Sequence, residues 1–233
     1  MKQLSRKELK TDHFVEEVEH GVEYVSSHKK PFVWGGIAGV VLLVGAIGAY
    51  FFMQSGKATR QEALSKAYAV LEAPFGPPAQ PGAPAPAYAT MSARDAAANK
   101  AFAEVAAKYP SSEEGYIAKY FMGTQAANQA NWGEAEKLLK EVGDKASKET
   151  ASMAKYALSQ VYLAQNKSSD AEKLLRQLMD NPTNTVSKEQ AQLSLGRLLV
   201  KSNAAEAKKL LEPLKAGTSA VSRAAIAAQA EIK

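Results

Sequence analysis

The hydrophobic pattern divides the chain into one long apolar run near its start and a series of shorter amphipathic stretches after it. Residues 32–53 form a run of 22 predominantly apolar residues, and no charged side chain occurs between Lys30 and Lys57. As a helix this run is about 33 Å long, which matches the hydrocarbon core of a bilayer at about 30 Å. Aromatic residues stand at both ends, as they do in membrane-spanning helices. The pattern predicts a single transmembrane helix within residues 31–56.

Two alternatives to a transmembrane helix fit this run less well. A buried helix of a soluble domain rarely continues this far without a charge. A cleaved signal peptide has a shorter apolar core that begins earlier and is followed by small residues at the cleavage site. We expect an uncleaved anchor with its N-terminal side in the cytoplasm, because Lys29 and Lys30 precede it and long domains translocate largely regardless of charge. The reverse orientation, with the larger domain in the cytoplasm, is the weaker alternative.

Small residues recur four positions apart inside the apolar run, as Gly35 and Gly39 and again as Gly45 and Ala49. This spacing lets another helix approach closely, so these four positions are predicted to pack against a second transmembrane helix. Glycine is also simply common in spanning helices. A specific helix partner and the absence of one therefore both stay open.

The segment before the run, residues 1–30, carries apolar residues at helical spacing and is predicted to form an amphipathic helix. A short solvated helix with a narrow apolar stripe explains the pattern equally well. Its histidines, His13, His20 and His28, are seven and eight residues apart. Because a helix-borne metal pair needs one-turn spacing, no metal site is predicted here.

A short amphipathic phrase recurs three times in the second half of the chain. It reads AEKLLKEV from Ala135, AEKLLRQL from Ala171 and AKKLLEPL from Ala207, with starts 36 residues apart. Each copy follows a short polar turn and another helical stretch, so each unit is predicted to be a helical hairpin. The first helices are predicted over 114–129, 149–165 and 186–201, and the second helices over 132–145, 168–180 and 204–215.

An upstream unit and a final helix complete the predicted stack. Helical patterns over 58–72 and 92–109 form a further pair, separated by an insertion at residues 73–88 that holds six of the ten prolines. The insertion suits neither a helix nor a central strand, and we expect an extended, polyproline-like segment that is either a spacer or a PxxP ligand. A helix over 218–232 is expected to cap the last apolar face, as solenoids require.

The units resemble the tetratricopeptide repeat (TPR) pattern, W-x2-L-G-x2-Y…A-x3-F…P. Its small first-helix residue falls on Gly123, Ser159 or Gly196, and its second-helix alanine opens each repeated phrase. The tryptophan is absent from every copy and the period is 36 residues, against about 34 in the TPR pattern. The predicted fold is therefore all-α, a single transmembrane helix followed by an α-solenoid of degenerate TPR-like hairpins over residues 57–233.

Composition excludes most catalytic chemistry. The chain has no cysteine and no histidine after His28, which rules out Cys-His and Ser-His-Asp arrangements in the repeat domain. It also lacks phosphate-binding glycine loops and the HExxH motif. We expect no enzyme activity, no cofactor and no metal. The net charge of +5 is spread over helix surfaces of mixed sign, so nucleic-acid binding is not expected either.

The candidate function is protein binding on the concave face of the stack, which the first helices line. By helical spacing, the candidate groove residues are Tyr120, Thr124, Asn128, Tyr156, Gln160, Arg197 and Lys201. Tyr120 and Tyr156 occupy matching places one repeat apart. As aromatic residues, they suit either a groove or the packing between units.

The layout as a whole resembles the YfgM-like family, with a short N-terminal segment, one spanning helix and degenerate TPR units to the end. The resemblance implies an ancillary subunit of the bacterial Sec translocon, anchored in the inner membrane with its repeat domain in the periplasm. It implies protein partners, namely the translocon, periplasmic chaperones or exported proteins. The alternative is a structural scaffold of an envelope assembly that self-associates as a homo-oligomer.

Overall fold

The computed structural model describes residues 42–45, 47, 56–74 and 88–232, and the structural statements below concern these residues. Of the predicted transmembrane helix at 31–56, residues 42–45, 47 and 56 are described, and they are helical. The rest of that prediction, with the N-terminal helix, the histidines and three of the four small packing residues, lies outside the described residues. Within the described part, no helix combines the length and the apolar character needed to cross a membrane.

The chain divides into two compact units, residues 1–58 and 59–233. The repeat helices belong to the second unit, where consecutive helices pack on one another in chain order. The helices are α1 (56–71), α2 (Met91–Lys108), α3 (Glu113–Asn128), α4 (Trp132–Lys145), α5 (Lys148–Ala164), α6 (Ser168–Asp180), α7 (Lys188–Leu199), α8 (Ala204–Leu211) and α9 (Ala220–Ala230).

The predicted all-α, TPR-like architecture is confirmed for the repeat region. The helices begin within two residues of the predicted starts, and polar side chains cap several of them. The side chains of Asn131, Ser147 and Ser187 each accept a hydrogen bond from the backbone N–H three residues further on. The predicted helix 204–215 is too long at its end. Pro213 has no backbone N–H to continue the α-helix, so the chain passes into a 3₁₀ turn over Glu212–Lys215.

The repeated phrase forms the buried seam of each hairpin. Its alanines are fully buried, and so are the leucines four residues later, Leu139, Leu175 and Leu211. A Cβ atom added to Gly123 would lie 2.9 Å from Leu139 Cγ, and one added to Gly196 would lie 2.7 Å from Leu211 Cδ2. The predicted role of the small first-helix residue, close approach of the two helices, is confirmed at both glycines.

The middle hairpin uses a serine at this position. Ser159 is fully buried, and its hydroxyl donates a hydrogen bond to the Tyr156 carbonyl oxygen at 2.6 Å. The small polar side chain is thereby satisfied within its own helix and leaves room for the neighbouring second helix.

Helix α9 covers the end of the stack, as predicted. Its Ala225 and Ala228 are buried in one cluster with Leu195, Leu199 and Leu211. Cap helices of this kind shield the last apolar face of a solenoid from water.

The upstream hairpin is also present, with α1 and α2 as its two helices. Tyr68 on α1 makes an edge contact with Phe102 on α2 at 5.5 Å between ring centroids, and Phe102 stacks on Phe121 of α3 at 4.8 Å. Of the predicted proline insertion at residues 73–88, residues 75–87 lie outside the described residues. Its two ends meet, since the Tyr88 N–H donates to the Pro74 carbonyl oxygen at 3.1 Å.

The glycine contacts give a direct stability test. We expect Gly123→Ala and Gly196→Ala each to lower the free energy of unfolding by about 1–3 kcal/mol, because the added methyl overpacks a leucine that has no space to move. Gly133→Ala is the matched control, since a Cβ there meets nothing within 4 Å. It should leave stability unchanged or raise it by about 1 kcal/mol through helix propensity. Denaturant unfolding measures all three, and equal losses would contradict the packing account.

Candidate protein-binding site

Five of the seven predicted groove residues line one surface cavity of about 340 Å³ between α3 and α5. We call this cavity the α3–α5 groove. Its wall consists of uncharged side chains, namely Tyr120, Thr124, Ala127, Asn128, Trp132, Tyr156, Ala157, Gln160 and Val161. The structure therefore brings these five candidates together, while their role in binding stays a prediction.

Helical spacing explains why these side chains converge. Tyr120, Thr124 and Asn128 are four residues apart on α3 and so share one face of that helix. Tyr156 and Gln160 repeat the arrangement on α5, 36 residues later than Tyr120 and Thr124. Because the two hairpins repeat the same packing, the two faces lie side by side and enclose the groove.

Tyr120 contributes a half-buried ring to the groove. The ring makes an edge contact with Phe121 at 5.5 Å between centroids. Burial raises the pKa of the Tyr120 phenol, so the hydroxyl stays protonated at neutral pH and can donate a hydrogen bond. Among the described residues that hydroxyl makes no protein hydrogen bond, which leaves it available to a ligand.

Tyr156 both lines the groove and packs between repeats. Its hydroxyl lies 3.0 Å from the Ser194 hydroxyl on α7, and its ring packs against the core cluster that contains Leu175 and Leu195. The two interpretations of this tyrosine from sequence are therefore compatible. The contact with α7 fixes the ring in place before any ligand arrives.

The polar rim of the groove supplies amides. Asn128 and Gln160 are exposed, and each carries two N–H donors and a carbonyl acceptor. Gln160 Nε2 lies 3.3 Å from the Ser159 hydroxyl and donates to it, which holds the amide over the groove. Such groups suit hydrogen bonds to the backbone of a peptide.

Arg197 and Lys201 lie outside the groove. Both are exposed, Arg197 on α7 and Lys201 in the turn after that helix. Arg197 holds the register position of Gln160 but one repeat further along the stack, so it does not reach the cavity between α3 and α5. Binding by these two residues stays an untested prediction.

Trp132 closes one side of the groove from the first position of α4. The sequence does not predict this position, because the expected concave face consists of first helices alone and Trp132 lies on a second helix. The available signal was a large aromatic residue directly after the Asn131 cap, where a second helix begins next to the end of the first.

Polar contacts between units set the position of α5, which carries half of the groove. The Glu113 carboxylate on α3 accepts hydrogen bonds from the Ser147 N–H at 3.1 Å and the Ser147 hydroxyl at 2.6 Å. It also accepts one from the Thr150 hydroxyl. Ser147 is itself the N-cap of α5, so Glu113 joins the first turns of two successive first helices.

The pKa of Glu113 reflects these contacts. Partial burial alone would raise it, but the hydrogen bonds from Ser147 and Thr150 outweigh burial and hold it below its ordinary value. A second contact between hairpins also lowers the pKa of a carboxyl group. The Lys167 ammonium, 3.0 Å from the Glu136 carboxylate, lowers the pKa of Glu136.

Tyr162 completes that second contact. Its hydroxyl donates to the Glu136 carboxylate at 3.2 Å. Burial, together with the charge of Glu136, raises the pKa of Tyr162 to about 12.

The described residues contain no cluster of three or more histidine, aspartate or glutamate side chains that could hold a metal ion.

The repeat domain is similar to known TPR-like proteins. The model of a family described as a tetratricopeptide repeat-like domain matches residues 32–183. The chain belongs to this family. The match begins at the first residue of the apolar run and ends before α7, so the third hairpin and the cap lie beyond it. TPR-like repeats are typically non-catalytic scaffolds that mediate protein–protein interactions.

Among solved structures, the nearly identical TPR-like repeats of a Podosopora anserina chain assigned as a kinesin light chain share this fold. A variant of those repeats is 18% identical, with a TM-score of 0.50, and the match covers 61% of this chain and 77% of that chain. A second structure of the repeats has the same identity and coverage and a TM-score of 0.49. A search of curated proteins finds no match. The likeness to the first of these structures concerns the fold alone.

The Glu113 contact predicts a change in acid stability. A carboxylate whose folded pKa is lowered stabilises the fold above its unfolded pKa of about 4.3, and that stability is lost as the pH falls through the folded pKa. We expect Glu113→Gln to be less stable than the parent at neutral pH and to lose less stability between about pH 5 and pH 2.

Urea unfolding across this pH range measures the effect. Glu104→Gln, at an exposed position of α2, is the control and should follow the parent profile. Parallel profiles for Glu113→Gln and the parent would show that the contact with Ser147 and Thr150 does not stabilise the carboxylate.

Proposed function

We propose that this protein is a membrane-anchored TPR-like adaptor that binds a polypeptide in the α3–α5 groove. The observation that carries the proposal is the groove itself, in which two successive first helices present Tyr120 and Tyr156 with exposed amides beside them. Aromatic anchors surrounded by hydrogen-bonding groups are typical of surfaces that bind proteins. The family supports the same role, since TPR-like repeats generally mediate protein–protein interactions.

Exposed apolar side chains support the membrane anchor. Leu42, Leu43, Val44 and Ile47 are between 48% and 74% exposed. Three consecutive helical residues are spread over about 200° around the helix axis, so one packed partner could not cover them all. Lipid covers every face of a helix, and the family match includes this run from residue 32 onward.

The resemblance of the layout to the YfgM-like family supports a location for this adaptor. We propose that the anchor lies in a bacterial inner membrane with the N-terminus in the cytoplasm and the repeat domain in the periplasm. The partners in this proposal are subunits of the Sec translocon, periplasmic chaperones or exported proteins.

A topology experiment tests the placement of the repeat domain. A reporter enzyme that is active only outside the cytoplasm is fused after Lys233, and we expect activity in intact cells. The same reporter fused before Met1 should be inactive, because the two ends lie on opposite sides of a single span. The reverse pattern would place the repeat domain in the cytoplasm and exclude periplasmic partners.

A crosslinking experiment tests the groove. A photoreactive amino acid replaces Thr124 or Gln160 in the full chain in native membranes, and Lys137 on the exposed face of α4 is the matched control position. We expect adducts with a translocon subunit or a membrane-anchored chaperone from both groove positions and none from Lys137. Adducts that join two copies of the chain would instead support the self-associating scaffold. Adducts of equal yield at all three positions would contradict binding in the groove.

A further inference from the structure

The α3–α5 groove has the chemistry of a site for proline-rich peptides. Tyr120, Trp132 and Tyr156 supply aromatic surface, while Asn128 and Gln160 supply amide N–H donors. A proline-rich peptide presents apolar rings and free carbonyl acceptors but few N–H groups, and its extended helix forms with little loss of entropy. Grooves lined by aromatic residues bind such peptides for these reasons.

The chain contains a matching ligand. Residues 75–87, FGPPAQPGAPAPA, hold five prolines and no charged residue. Pro78, Pro81 and Pro84 are three residues apart, which places them on one face of a polyproline helix of three residues per turn. An uncharged ligand suits this groove, because an ionised side chain would lose its hydration there without gaining an opposite charge.

The attachment points of this segment lie close to the groove. The segment leaves from Pro74 and returns to Tyr88, which are hydrogen bonded at 3.1 Å. On α1, six residues before Pro74, Tyr68 contacts Phe121 at 5.0 Å between centroids. Phe121 in turn contacts Tyr120 of the groove at 5.5 Å. The segment therefore begins one helix away from the groove.

Residues 75–87 are long enough to reach the α3–α5 groove. Neighbouring helix axes are about 10 Å apart. A segment of 13 residues with joined ends can extend for about six residues in each direction, which is about 20 Å in a polyproline helix.

We propose that residues 75–87 dock in the α3–α5 groove of the same chain, with the stripe of Pro78, Pro81 and Pro84 against the aromatic side chains. The docked segment occupies the surface that a partner polypeptide would use. Since a partner then binds only the unoccupied fraction, its apparent affinity is reduced by that fraction. The docking itself needs no partner, so it can be tested separately from the proposed adaptor function.

A disulfide experiment tests the docking. Because the chain has no native cysteine, the introduced pair is the only source of disulfides within the protein. The groove pair combines Ala83→Cys with Gln160→Cys at the groove rim, in the full chain. The control pair combines Ala83→Cys with Lys140→Cys, an exposed α4 position that lines a different cavity. Under mild oxidation we expect the intramolecular disulfide to form about tenfold faster in the groove pair than in the control pair, since docking raises the local concentration of the thiol.

Proline variants separate docking from simple tethering. Replacing Pro78, Pro81 and Pro84 together by alanine should slow the groove disulfide about tenfold, by removal of docking. The control Pro77→Ala with Pro86→Ala leaves the stripe intact and should change the rate little. Equal rates in both cysteine pairs, or no effect of the stripe variant, would overturn the proposal.

Three further outcomes distinguish docking within one chain from its alternatives. Disulfides that join two chains and vanish on dilution would show docking onto a second copy, which overturns docking within one chain. If the disulfide result is negative while photo-crosslinking from Thr124 and Gln160 still captures a partner, the adaptor function stands and only the docking of residues 75–87 is lost. Faster partner capture by the stripe variant than by the parent would support competition for one surface.

Discussion

The close approach of the two helices in each hairpin is the contact on which the rest of the repeat domain depends. In the first and third hairpins a glycine packs against a fully buried leucine. A Cβ atom added to that glycine would lie less than 3 Å from the leucine side chain. In the middle hairpin the same place is taken by Ser159, whose hydroxyl is satisfied by its own helix. With one helix pair fixed at this distance, buried leucines and alanines pack in the space between hairpins. The angle between successive first helices, and so the groove, follows from that packing.

Hydrogen bonds between hairpins fix the relative positions of the first helices that form the α3–α5 groove. Glu113 accepts hydrogen bonds at the cap of α5, and Tyr156 is held by Ser194 on α7. These contacts connect equivalent helices of neighbouring units, whereas the glycine–leucine contacts act within a unit. Among the described helices the main contacts join neighbouring elements, so stability in such a stack is close to a sum of unit and interface terms. The groove between α3 and α5 is therefore sensitive to changes at both of its flanking interfaces.

The sequence predicts most of this fold because local signals and periodic burial agree. Short polar turns separate the helical stretches, and the phrase that begins at Ala135, Ala171 and Ala207 identifies the buried seam of three hairpins. The end of α8 is harder to place, because the leucine pattern continues past Leu211 while Pro213 forbids the α-helical hydrogen bond. The site is only partly predictable. Register along α3 and α5 brings Tyr120, Thr124, Asn128, Tyr156 and Gln160 together. That Trp132 joins them, and that Arg197 and Lys201 do not, depends on how hairpins stack in three dimensions, which no spacing within one helix encodes.

The neutrality of the groove limits what can recognise it. The chain carries 29 basic and 24 acidic residues, yet none of them lines the cavity between α3 and α5. Long-range electrostatic attraction therefore does little to steer a ligand into this site, and discrimination must come from shape, aromatic contact and hydrogen bonding at short range. In such a site, affinity is higher when the ligand and the groove lose less conformational entropy on binding. The groove is carried on packed helices with Tyr156 already anchored, and a polyproline segment has already lost much of its freedom. In the docking that we propose, the attachment of residues 75–87 to the same chain replaces the encounter that charge would otherwise promote.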